Sequence, residues 1–110
     1  MIIASRILKF RDPKGDRGIS IDIHAPEQDR VDWICRFEIG WPNEKAIRWG
    51  SGVDAVQALL QAFQMIGAEI YTSDLHASGR LSWFEQGNGY GFPVPNNIRD
   101  LLIGADAEFL

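Results

Sequence analysis

Alternation with a period of two runs through the first part of the chain. Residues 3–10 are rich in apolar and β-branched types, and Asp12-Pro13-Lys14-Gly15-Asp16 follows with turn chemistry. From 18 to 24 the pattern is strict: Ile19, Ile21 and Ile23 fall on one side, Ser20, Asp22 and His24 on the other. After a loop over 25–30, Trp33, Cys35, Phe37, Ile39 and Trp41 alternate with Ile34, Arg36, Glu38 and Gly40. One apolar face and one part-wet face are what antiparallel pairing provides. Pro42-Asn43-Glu44 supplies the next turn, and Ile47 and Trp49 predict a short fourth strand.

The period then lengthens to that of a helix. Val56, Leu59, Leu60, Phe63, Ile66 and Ile70 form one apolar stripe and predict a helix over 53–71, roughly five turns at ~3.6 residues each. Ser51-Gly52-Val53-Asp54 has the form of a capping box, with Ser51 accepting from the helix start and Asp54 reaching back. Gly67 falls near the inner face, where it would let the helix approach the sheet, at a cost of ~1 kcal/mol relative to Ala. Beyond Thr72 come a loop, a strand over 81–85 and the run Gly87-Asn88-Gly89-Tyr90-Gly91. Phe92-Pro93-Val94-Pro95 cannot continue a central ladder, because proline lacks the donor. Asn96 or Asn97 can cap a last short helix, with Ile98, Leu101 and Leu102 inward and Gly104 ending it. The order β-β-β-(β)-α-β predicts one α+β domain over 1–110. Its architecture is a curled antiparallel sheet of four to five strands, one long helix across it and a short C-terminal helical turn.

Composition agrees with a globular chain: 110 residues, 45% hydrophobic and 24% charged. The charge sharpens the picture. The formal net charge is −4, and only Arg80 and Arg99 are basic after Arg48. A nucleic-acid binder needs a clustered basic surplus to neutralise phosphates, so nucleic acid is not expected as a partner. No segment approaches the ~18 apolar residues of a membrane span, and the N-terminus lacks the basic start and long apolar run of a signal peptide. Cys35 is alone and cannot form an internal disulfide, which points to a reducing cytoplasm.

Candidate chemistry is thin. Asp22 and His24 share a strand face with Arg36 and Glu38 on the next strand; a metal would need a third converging ligand, and a cross-strand charge network accounts for them more simply. Ser73, Asp74, His76 and Ser78 crowd one loop, but triads are defined by geometry, and loop capping explains them. The glycines at 87, 89 and 91 lack the Lys and Ser/Thr of a phosphate loop. Cys35 lies on the apolar side of its strand and reads as a buried small hydrophobe. Trp33 and Trp49 read as core. Trp83 and Phe84 point to opposite sides of a strand, so one of them is left for a cleft or an interface. No catalytic residue, metal site or cofactor is assigned, and the reading leans away from an enzyme.

Two expectations remain. The helix face Gln57, Ala58, Gln61, Gln64 and Met65 carries amide, small and thioether groups where a solvated helix carries mixed charges. That suits a covered face, and hence a structural or protein-interaction module acting as a homodimer or on a protein partner. The alternative is a small-ligand-binding domain or small enzyme, with a cleft built from the His76 loop and from Trp83, Tyr90 and Phe92 of the Gly/Pro-rich segment.

The run Gly52-Val53-Asp54-Ala55-Val56-Gln57-Ala58-Leu59-Leu60, with Ile70-Tyr71-Thr72-Ser73 and Gly91-Phe92-Pro93-Val94-Pro95, resembles a family of small bacterial proteins of unknown function over roughly the C-terminal two-thirds of the chain. The resemblance implies a compact bacterial domain. It implies no activity, cofactor or site residue.

Overall fold

The computed structural model describes residues 1–110. Strands β1 (Ile2–Asp12) and β2 (Gly15–His24) form a long hairpin, pairing from Ile2 opposite His24 to Asp12 opposite Gly15, with one register shift between Ile2 and Ala4. β3 (Glu27–Asp29) follows, then β4 (Asp32–Gly40) and β5 (Lys45–Gly52). One edge of β4 meets β2 at Ile21–Ile39 and Ile23–Phe37, and continues against β3. Its other edge carries β5, from Gly40 opposite Lys45 to Trp33 opposite Gly52. At the far side, the two-residue β6 (Leu81–Ser82) lies beside Lys9 and Phe10 of β1. The antiparallel sheet therefore reads β5-β4-β2-β1-β6, with β3 extending the row of β2.

The strict alternation of the sequence sets the core face. Leu8, Ile19, Ile21, Ile23, Cys35, Phe37, Ile39 and Ala46 are buried on it. Helix α1 (Ala55–Tyr71) crosses that face. The C-terminal segment, with a 3-10 helix (Asn96–Leu101) and α3 (Gly104–Phe109), closes it with Tyr90, Phe92, Val94 and Leu102. No helix is long and apolar enough to cross a membrane.

The helix forms where periodicity places it, yet it is turned about its axis. Its buried residues are Ala58, Ala62, Ile66, Gly67, Ile70 and Tyr71, while Val56 and Leu60 of the expected stripe are exposed. The reason is steric. A Cβ on Gly50 of β5 would lie 2.5 Å from the Ala62 backbone nitrogen, and one on Gly52 would lie 2.6 Å from that of Ala58. The helix backbone rests almost on β5, and only small side chains fit between. Gly67 does not serve this approach. Its missing Cβ clears the Pro93 carbonyl, where the 92–95 segment crosses the helix.

Other local expectations change for identifiable reasons. The helix starts later, because Asp54 is the N-cap: its carboxylate accepts from the Gln57 amide at 2.8 Å, and the Gln57 side chain accepts from Val53 at 2.7 Å. Ser51 belongs to β5. The strand expected over 81–85 stops at Ser82, and Phe84 turns left-handed at φ 57°. Trp83 and Phe84 consequently lie ring to ring at 4.8 Å rather than on opposite sides. The loops expected over 25–30 and after Thr72 hold β3 and the single turn α2 (Asp74–Ala77), and Gly104 opens α3 instead of ending a helix. Trp49 is not core: it stands on the outer sheet face, 58% exposed. Trp33 is half-buried.

The close approach at Gly50 is testable. Gly50→Ala forces a methyl against helix backbone that cannot rotate away, and is expected to cost about 1–3 kcal/mol. The measurement is a urea unfolding curve, read as a lower midpoint at unchanged slope.

Candidate functional site

The outer sheet face carries the first candidates. Asp22 accepts from the Ser5 hydroxyl at 2.7 Å, His24 Nε2 lies 3.6 Å from Glu38 Oε2, and Arg36 pairs with Glu27. These are pairwise contacts on a wet face. No cluster of three or more His, Cys, Asp or Glu side chains with metal-holding geometry forms in the chain. Cys35 is fully buried, and burial raises its thiol pKa above the ordinary value, so it stays protonated and unreactive at neutral pH.

The densest polar chemistry lies under the C-terminal segment. Ser73 accepts from the His76 amide and donates to the Ile70 carbonyl at 2.6 Å, so it ends α1 and starts α2. This fixes His76 against Tyr90, whose hydroxyl is 2.5 Å from His76 Nδ1 and 3.4 Å from the Leu81 carbonyl. Tyr71, at the end of α1, meets both rings edge-on at centroid distances of 5.0 and 5.2 Å. Its hydroxyl donates to Asp106 of α3 at 2.5 Å. Asp106, itself buried, also accepts from the Tyr90 amide at 2.8 Å and the Gly91 amide at 2.9 Å.

Burial governs the protonation of this cluster. It lowers the His76 pKa below the ordinary 6.5, which favours the neutral ring, hydrogen-bonded through Nδ1 to the Tyr90 hydroxyl. Burial, and then the Asp106 charge, push Tyr90 up to about 12. Burial and the bond to Asp106 raise Tyr71 as well. No buried side-chain nitrogen or oxygen here lacks a partner, and none of these four side chains lines any of five clefts on the surface. The arrangement is a lock between elements.

Arg6 holds the other side of the same segment. In the β1 register it falls between Ala4 and Leu8, opposite Ile21, and therefore points to the core face. Its Nη1 donates to the carbonyls of Tyr90 at 3.0 Å and Gly91 at 3.3 Å. The guanidinium lies 3.8 Å over the Trp83 ring and 5.0 Å from that of Phe92. Burial lowers its pKa and the Asp106 charge raises it in part. Beside it opens a cleft of about 230 Å³ lined by Ala4, Ser5, Arg6, Ile23, Phe63, Gly91, Phe92 and Pro93.

The residues expected to form one ligand cleft are thus divided. His76 and Tyr90 belong to the buried lock, Trp83 and Phe92 flank Arg6, and Phe92 alone reaches the cleft. The expected interface row is divided too. Gln57 and Gln61 are exposed, Gln64 and Met65 are half-buried, and Ala58 is 0% exposed beneath β5, where it cannot meet a partner. Arg6, Tyr71 and Asp106 were not singled out from the sequence. A charge at an inward position of β1 is a usable signal for Arg6. Asp106, in a short run with no periodicity, offers none.

Two measurements follow from this geometry. Asp106→Ala strands three donors in the interior and is expected to cost about 3–5 kcal/mol in urea unfolding. The lowered His76 pKa gives a definite pH sign. In the range between the lowered folded value and 6.5, the unfolded chain binds more protons, so the His76 contribution is full above about pH 6.5 and is lost as pH falls below it. Stability measured from about pH 8 to about pH 5 should show this loss in the natural chain and a shallower one in His76→Phe.

Comparison with known proteins gives one relationship. No curated protein and no solved structure matches the chain. A family model described as "Domain of unknown function (DUF6968)" matches residues 4–94, a span that holds Arg6, the whole of α1 and the glycine-rich segment, and the chain belongs to that family.

Proposed function

We propose that the protein is an interaction module that pairs with a second copy of itself through β5 and the surface on either side of it. The observation that supports this is the state of β5. It is an eight-residue edge strand hydrogen-bonded only to β4, with no proline and an unbroken register, and its two charges, Lys45 and the Glu69-paired Arg48, both lie in its first half. Natural edge strands of this length are normally blunted, because the free N–H and C=O groups recruit other strands. Here the flanks invite contact. Ile47 and Trp49 project from the outer sheet face, and Val53, Gln57 and Gln61 border the strand from the helix start; Ile47, Trp49 and Val53 are exposed.

A second copy is the natural occupant, since two identical antiparallel edges satisfy each other about a two-fold axis. An exposed Trp at the centre of such a patch is the residue type that anchors interfaces. The helix contributes amides that bind without the desolvation cost of charges. A cytoplasmic location is part of the same proposal, supported by the lone buried Cys35, and a bacterial source rests on the family resemblance alone.

Native mass spectrometry of the purified chain tests it. The expected species is a dimer; Trp49→Lys or Gln61→Glu should raise its dissociation constant at least about tenfold. Phe84→Lys serves as the control, because Phe84 is 90% exposed and lies outside the patch. A monomer at all concentrations, or equal loss in the Phe84 variant, would sink the reading.

A further inference from the structure

We infer that the cleft beside Arg6 is a binding site for a small monocarboxylate with an apolar body about the size of one ring. Arg6 is the observation from which this starts. It sits on the core face of β1 with no carboxylate in ion-pair contact, although exposed basic residues elsewhere, such as Lys9 and Arg48, have partners at 3.1 and 3.4 Å. A cation drawn away from bulk water normally brings an anion with it. The nearest acid, Asp106, spends its oxygens on Tyr71, Tyr90 and Gly91 and gives none to Arg6.

The guanidinium is also held in one orientation. Nη1 is tied to two carbonyls, and the plane lies over Trp83. Nε and Nη2 have no partner in the chain. No buried side-chain nitrogen or oxygen of the protein lacks a partner, so these two donors are open to solvent. A guanidinium edge with two free N–H donors is the shape that binds a carboxylate bidentately.

The cleft supplies the rest of the ligand's chemistry. Arg6 is the one charged residue in its wall, and Ala4, Ile23, Phe63, Phe92 and Pro93 offer apolar surface. Its 230 Å³ lies just under the ~300–1,000 Å³ of drug-sized pockets, which limits the occupant to about one ring. Gly91 keeps the arrangement open. At φ +77°, a Cβ there would lie 2.6 Å from Arg6 Nη1 and 2.8 Å from the Trp83 ring. None of these residues belongs to the β5 surface, so the site stands or falls independently of self-association.

The test is an NMR titration of the full chain with benzoate, benzamide, acetate and inorganic phosphate. Benzoate should bind saturably, with a dissociation constant of about 0.1–1 mM and shifts centred on Ala4, Arg6, Phe63, Gly91 and Phe92. Benzamide, which keeps the ring and loses the charge, should bind at least about tenfold more weakly, and Arg6→Gln should weaken benzoate by a similar factor. Because Arg6 also holds the Tyr90 and Gly91 carbonyls, Ala4→Leu is the second variant. It fills the cleft, leaves Arg6 in place, and should weaken benzoate at least about tenfold while the remaining spectrum stays native. The inference is overturned by no saturable shift up to about 10 mM benzoate, by benzamide, acetate or phosphate binding as tightly as benzoate, or by unchanged binding in Ala4→Leu. A peptide ending in phenylalanine that binds more tightly than benzoate would overturn the small-acid assignment in favour of chain ends.

Discussion

The segment 88–92 crosses the open end of the fold with no strand beside it, and two side chains stand in for the missing ladder. Asp106 takes the amides of Tyr90 and Gly91, and Arg6 takes their carbonyls. A buried backbone whose polar groups went unmatched would cost free energy at each of them, so the pair is a condition for the segment to lie where it does. The conformation follows from the same contacts. Gly89 and Gly91 are left-handed, and a Cβ at Gly89 would lie 2.3 Å from the Asp106 carboxylate. Once the segment is held, Tyr90, Phe92 and Val94 are delivered to the core, and Pro93 closes over Gly67 of α1. The Tyr71 bond to Asp106 then ties the end of α1 to α3. This local lock joins the beginning, middle and end of the chain.

A second constraint governs the other side of the molecule. Gly50, Gly52, Ala58 and Ala62 let α1 settle onto β5 at backbone contact. Close packing there spends the small residues inward and leaves Val53, Val56 and Leu60 outward, where a wider helix–sheet gap would have drawn them in. It also leaves β5 uncovered at its edge, with Trp49 standing on the face away from the helix. The surface proposed for self-association is thus a by-product of how tightly the helix sits. The carboxylate cleft, in turn, is a by-product of how Arg6 holds the C-terminal segment. The two sites arise from different packing solutions and share no residue.

Much of this was legible in the sequence. Strict alternation in 18–24 and 33–41 named the core side of β2 and β4 correctly, including Cys35, because period two leaves each residue only one of two faces. Helical spacing located α1 to within two residues of its start and named its end. The turn residues at 12–16 and the prolines at 93 and 95 marked breaks that the fold contains. The antiparallel α+β architecture followed from element order.

What stayed hidden depended on partners distant in the chain. Hydrophobic periodicity finds an apolar stripe, but the turn of α1 about its axis was decided by glycines on β5 that admit only alanine-sized neighbours. Trp49 looks like core in any strand pattern, and becomes exposed only because the helix covers the opposite face. Asp106 carries no local signal of its role, and the inward charge at Arg6 does not name its partners, since the two act through atoms 84, 85, 15 and 16 residues away. Local chemistry thus determined which elements form and which faces they bury. Steric contact between elements and the pairing of isolated polar groups are non-local, and only the tertiary structure decided them.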